Sequence, residues 1–120
     1  MSIYIGNIEI KKTNNMGNGV FATSKILKGE LIESGIMSVL NNVDGNENPM
    51  LFTWSVDKTK WAIGTGFLHY YNHSDTPNIK KIGDLINNTL KIFAIHDIEK
   101  GEELRGKYYS KEWRKCFKFF

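Results

Sequence analysis

The sequence predicts a single, mainly β domain, and three observations carry that expectation. Apolar residues alternate with polar ones over short runs, the spacing of half-buried strands. Pairs such as Gly6-Asn7, Lys28-Gly29, Asp44-Gly45 and Asn87-Asn88 break the chain at short intervals, where turns need residues that tolerate unusual backbone angles. Only two stretches offer helical spacing. Phe67 to Tyr71 is long enough for one turn, and Lys111 to Phe117 puts Trp113 and Phe117 on one face at i, i+4.

In order, Ile3, Ile5, Ile8 and Ile10 flank Gly6-Asn7 and read as two short strands of a hairpin. Thr13 to Asn18 is an Asn- and Gly-rich loop, after which Val20-Phe21-Ala22 re-enters apolar structure. Strands are expected at Glu30 to Glu33 and Ile36 to Leu40, then an exposed, insertion-tolerant loop over Asn41 to Asn48. Leu51 to Trp54, Trp61 to Ile63, Ile79 to Ile82 and Leu90 to Ile95 complete the strand expectations.

With 120 residues there is room for one modest core, so residues 1–120 form one domain. A 41% hydrophobic and 24% charged composition is ordinary for a soluble protein. No apolar run is long enough to span a bilayer and no signal-peptide pattern opens the chain, so an intracellular setting is expected. The single cysteine, Cys116, allows neither an intramolecular disulfide nor a thiolate zinc site, and His69, His73 and His96 lack ligand spacing; no metal is expected. A net charge of +3, with bases and acids interspersed, favours a solvated surface over nucleic-acid binding, although the basic, aromatic tail from Lys111 keeps that third reading in view.

The most site-like stretch is Gly66 to Asn78, Gly-Phe-Leu-His-Tyr-Tyr-Asn-His-Ser-Asp-Thr-Pro-Asn, where bulky rings are interleaved with polar groups that need partners if buried. Asn72-His73-Ser74 also fits a glycosylation sequon. Upstream lies Met16-Gly17-Asn18-Gly19, whose glycines let backbone amides approach an anionic ligand or simply form a turn. Downstream lies Gly101-Glu102-Glu103-Leu104-Arg105-Gly106-Lys107-Tyr108-Tyr109.

In that order the three segments resemble the signature of SET-domain protein lysine methyltransferases, over nearly the whole chain. The resemblance implies the SET fold, small curved sheets around a threaded C-terminal segment. Its form is the minimal one without cysteine-rich flanking modules, similar to short viral, phage and bacterial members. It implies S-adenosylmethionine as cofactor, a lysine-bearing protein or peptide such as a histone tail as substrate, and pairing of two chains as in minimal viral members.

Residue by residue, the resemblance assigns cofactor binding to Met16, Gly17, Asn18, Gly19, Asn72 and His73, with Tyr71 alongside. Tyr108 stands beside the transferring methyl, and Trp113 stacks on the adenine. This chain has Asn18 where a bulky residue is common, Asp75 where many members have a zinc-binding cysteine, and Arg105 and Lys107 inside the Glu-Leu-Thr-x-x-Tyr pattern. Those departures keep a second reading open, a SET-shaped module that binds cofactor or peptide without transferring a methyl group.

The chemistry asks for a narrow apolar channel. A lysine amine has a reference pKa of about 10.4 and must lose its proton before attack; desolvation beside a sulfonium lowers that value. Phe52, Trp54, Phe67 and Tyr70 are the candidate walls, each of which could equally be core.

Overall fold

A computed structural model describes residues 3–48 and 51–108. Ten strands are described: β1 (Tyr4–Ile5), β2 (Ile8–Lys12), β3 (Asn18–Ala22), β4 (Leu31–Leu40), β5 (Phe52–Thr53), β6 (Trp61–Gly64), β7 (Asn72–His73), β8 (Ile79–Asp84), β9 (Thr89–Ala94) and β10 (Glu103–Gly106). Among the described residues the only helical element is a 3-10 turn at Gly45–Glu47. The expected helix at Lys111 to Phe117 lies outside them.

The strands form two sheets. One has the order β5-β6-β4-β9-β8, with β1 added to β4; the other has the order β2-β3-β10-β7. Phe52, Ala62, Ile92 and Leu90 lie on the first and Val20 and Leu104 on the second. An apolar core that includes Val20, Ile26, Ile32, Ile79, Ile92 and Leu104 lies between them. The bridge between Ile26 and Ile98, each nearly sealed from solvent, ties the segments that lead into β4 and β10.

Three expectations are revised. The N-terminal hairpin does not form: β1 pairs with β4 and β2 with β3, so the Gly6-Asn7 corner passes the chain from one sheet to the other. Alternation reports which face a residue takes, not which strand it pairs with. The two strands expected between Glu30 and Leu40 are one continuous strand, broken in register between Leu31 and Glu33. The Asn41 to Asn48 loop is anchored: Gly45 is buried against the Trp61 ring, where an added Cβ would lie 2.2 Å from Cε3.

For the site, the second sheet matters most. β10 runs antiparallel to β3, pairing Leu104 with Val20, and parallel to β7, pairing Arg105 with Asn72 and Gly106 with His73. One strand from the end of the described chain therefore lies between the glycine-rich segment and the Asn-His segment.

Candidate functional site

Gly17 and Gly19 are glycine for different reasons. Gly17 has φ +69° with open space around it, and the loop before it is closed by Thr13, whose backbone N–H and hydroxyl both donate to the Gly17 carbonyl at 2.7 and 3.0 Å. The Thr13 hydroxyl also accepts from Met16 N–H at 2.8 Å, fixing Met16 at the loop shoulder. Gly19 is buried where an added Cβ would lie 2.5 Å from Glu103 Oε2 and 3.0 Å from Asn72 Nδ2. Only glycine lets β3 come this close to the side chains crossing from β10 and β7.

Asn72 joins all three segments. Its Nδ2 donates to the Asn18 carbonyl at 3.0 Å and to Glu103 Oε2 at 2.8 Å. Both amide hydrogens are thereby committed within the protein, leaving Oδ1 as the side chain's ligand-facing group. Glu103 Oε1 is held in turn by Arg105, from Nε at 3.0 Å and Nη2 at 2.7 Å. Arg105, where the family pattern carries threonine, thus supports the carboxylate that orients Asn72.

His73 is buried, and its Nδ1 accepts from Tyr108 N–H at 2.9 Å. The ring hydrogen then belongs on Nε2, which faces Asp75 Oδ1 at 3.0 Å. His73 and Tyr108 rings lie 5.3 Å apart, and the Tyr108 hydroxyl donates to the Tyr71 carbonyl at 2.6 Å. Backbone and hydroxyl of Tyr108 are therefore both tied to the segment that carries Asn72.

Tyr71 is a buried part of the core at 1% exposure, and its hydroxyl donates to Glu33 Oε1 at 2.7 Å. The other Glu33 oxygen accepts from Phe67 N–H at 2.8 Å. Burial raises the Glu33 pKa above its ordinary value, opposed by those two hydrogen bonds, and burial beside Glu33 pushes the Tyr71 hydroxyl upward. Glu33 thereby fixes the Phe67–Tyr71 turn that feeds β7.

The expected channel residues divide. Phe67 and Tyr70 are half-buried against the core, linked by a Tyr70 N–H to Phe67 carbonyl bond of 2.9 Å, a turn in place of the expected helical stretch. Trp54 is buried, donates from Nε1 to Asn88 Oδ1 at 2.9 Å and packs on Gly83. Phe52 does reach the site: its ring, with those of Tyr71 and Tyr108, surrounds the Lys81 ammonium at 5.3, 6.0 and 5.0 Å. Trp113 lies outside the described residues.

The match to known proteins follows the same segments. The SET domain model matches residues 17–109, most of the chain. The chain belongs to the SET-domain family. It is 27% identical over 113 residues to a Schizosaccharomyces pombe histone-lysine N-methyltransferase specific for H3 lysine 37, covering 88% of this chain and 76% of that protein. It is 28% identical over 88% of its length to a Plasmodium falciparum variant-silencing SET domain-containing protein, of which it spans only 5%.

Among solved structures, a Plasmodium falciparum protein assigned as a histone methyltransferase superposes with a TM-score of 0.70 at 28% identity, covering 88% of this chain and 95% of that one. A Chaetomium thermophilum Polycomb Repressive Complex 2 chain reaches 0.73 at 24% identity, over 89% of this chain and 15% of its own length, and shares the fold.

Several residues that build this site were not singled out from the sequence. Asn78 is the most connected: its Nδ2 donates to the Glu103 carbonyl at 2.9 Å and to Glu102 Oε2 at 3.0 Å, and its Oδ1 accepts from Arg105 N–H at 2.9 Å. Its place closing the Thr76-Pro77-Asn78 turn was the available signal. Glu33 carried one too, a charge directly after the apolar Leu31-Ile32; Lys81, next to Lys80, carried none.

The residues present suit the cofactor of the family. Gly17 leaves open space beside a positive-φ backbone, and among the described residues β7 is the edge strand of its sheet, with one side of the Asn72–His73 backbone not paired with a strand. Together with Asn72 Oδ1, these groups could meet an anion, a heterocycle edge and an amino group.

Proposed function

We propose that this SET domain transfers methyl groups from S-adenosylmethionine to the ε-amine of lysine in a protein. What supports the reading above all is the convergence of Gly17–Gly19, Asn72–His73 and Tyr108 on one four-stranded sheet, through Asn72 and Tyr108 hydrogen bonds. When bound, the cofactor supplies an electrophilic methyl group on a positively charged sulfur.

The chain does the rest. The loop of Met16, Gly17, Asn18 and Gly19 would hold the cofactor's carboxylate, and the Asn72–His73 edge, backed by Tyr71, would hold its adenine and amino group. Tyr108, held by the Tyr71 carbonyl, and that carbonyl itself provide oxygens that can touch a polarised methyl group, each contact small but aimed. Phe52 would line the approach of the amine, with Phe67, Tyr70 and Trp54 as the further proposed walls, and keep it apolar enough to shed its proton.

A histone tail is the proposed substrate class, because the Schizosaccharomyces pombe relative is specific for lysine 37 of histone H3. Pairing of two chains, carried from the resemblance to minimal members, is checked by light scattering. No described helix is long and apolar enough to cross a membrane.

The test is transfer of radiolabelled methyl from S-adenosylmethionine to a histone mixture, with Tyr108→Phe beside the parent chain. The reading expects labelled histone lysines and a rate for Tyr108→Phe lower by about 100-fold or more, the scale of losing one aimed polar group at a transition state. Equal rates would remove Tyr108 from the mechanism, and cofactor binding without transfer by the parent chain would favour a binding module.

A further inference from the structure

Lys81 lies on the wrong face of its strand for a lysine. Along β8, Lys80 and Ile82 are exposed, while Lys81 shares its face with the buried Ile79. Its Cε passes 3.3 Å from where a Cβ on Gly106 would lie, two residues before Tyr108. The ammonium then ends among the rings of Phe52, Tyr71 and Tyr108, all within 6.0 Å. Among the described residues no carboxylate pairs with it.

Ring faces attract a cation, but they replace water poorly, so an amine placed here is desolvated without an ion pair to hold its charge. The residue as a whole is half-buried, and loss of water around its amine draws the pKa down to about 8. These are the two conditions a methyl acceptor must meet, nearness to Tyr108 and a readily lost proton.

We infer that Lys81 is a methyl acceptor of its own chain, its amine entering the ring-lined end of the site in cis and competing there with a protein substrate. The inference rests on the methyltransferase reading above. In the step, the Lys81 Nζ lone pair forms the new N–C bond as the S–C bond breaks. The bonding electron pair stays on sulfur, which becomes a neutral thioether, and the Nζ proton passes to water. A mono- or dimethylated Lys81 keeps its cation–π contacts and remains basic.

The experiment incubates the full chain with deuterated-methyl S-adenosylmethionine, with and without a histone mixture, and locates the label by peptide mass spectrometry. Label at Lys81 is expected, at a first-order rate independent of chain concentration and rising with pH up to about 8, and Lys81→Arg should remove it.

A readout independent of turnover is acylation of the chain alone by an amine reagent: Lys81 should titrate near 8, and a midpoint in the ordinary lysine range near 10.4 would overturn the inference. Histone labelling with none at Lys81, or Lys81 labelling proportional to chain concentration, would overturn it while leaving the enzyme reading intact. No label on either would sink both.

Discussion

The two sheets are held together differently. In the six-stranded sheet, β4 and β9 pair along much of their length and bury Ile32 and Ile92 with almost no exposure, so its cohesion is apolar and distributed. In the four-stranded sheet β7 has two residues and β10 four, too short for the ladder alone to fix them. Side chains do it instead: Asn72, Asn78, Glu103 and Thr13 cross between strands or close loops. The difference teaches that the cleft side is specified by a few polar hubs, so single substitutions should act locally and sharply there and diffusely on the other side.

Ile92→Ala tests the apolar sheet and should cost the most, about 2–5 kcal/mol of unfolding free energy by chemical denaturation, as a large-to-small core change. A loss below 1 kcal/mol would mean this sheet does not anchor the fold. Asn78→Ala strips two hydrogen bonds from β10 and one from Glu102 just before it, and should cost about 1–3 kcal/mol, with half-buried partners on Glu103 and Arg105 left unpaired. Its mark should be local: faster amide exchange at Arg105 in the Asn78 variant, and none at Ile92.

Glu33→Gln should cost about 1–3 kcal/mol, since an amide cannot accept from both Tyr71 and Phe67 with two oxygens. It should also change the pH profile. Because the folded-state pKa of Glu33 is raised above 4.5, the unfolded chain loses this proton first as pH climbs, and the parent loses stability between 4.5 and the folded value. The Gln variant should lack that decline; an unchanged profile would contradict a buried, raised carboxyl. Arg105→Thr, which restores the family pattern, should cost least, about 1 kcal/mol or less, because the guanidinium is partly exposed. A larger loss would make Glu103 more dependent on its ion pair than on Asn72.

Much of this was legible in the sequence because it is local. The glycine loop, the Asn-His pair and the late tyrosine are short motifs whose residue types announce their constraints, and most strands follow from alternation. What was missed is partnership at a distance. Ile3 to Ile10 alternates equally well as a hairpin or as two strands leaving for different sheets. Glu33, in a strand otherwise apolar around it, gives no hint that its partners lie at Phe67 and Tyr71. Lys81 looks like half of a surface Lys80-Lys81 pair until β8 is seen edge-on, with Ile79 and Lys81 turned inward.

The most direct measurement is a backbone amide shift map of the chain titrated with S-adenosylhomocysteine, the demethylated cofactor. Shifts should gather at Gly17–Gly19, Asn72–His73 and Tyr108, three segments far apart in sequence and joined across β3, β10 and β7. Shifts gathered instead around Leu31, Ser34 and Lys91, which line a groove of about 580 Å³ on the other sheet, would contradict a cofactor cleft built on the four-stranded one.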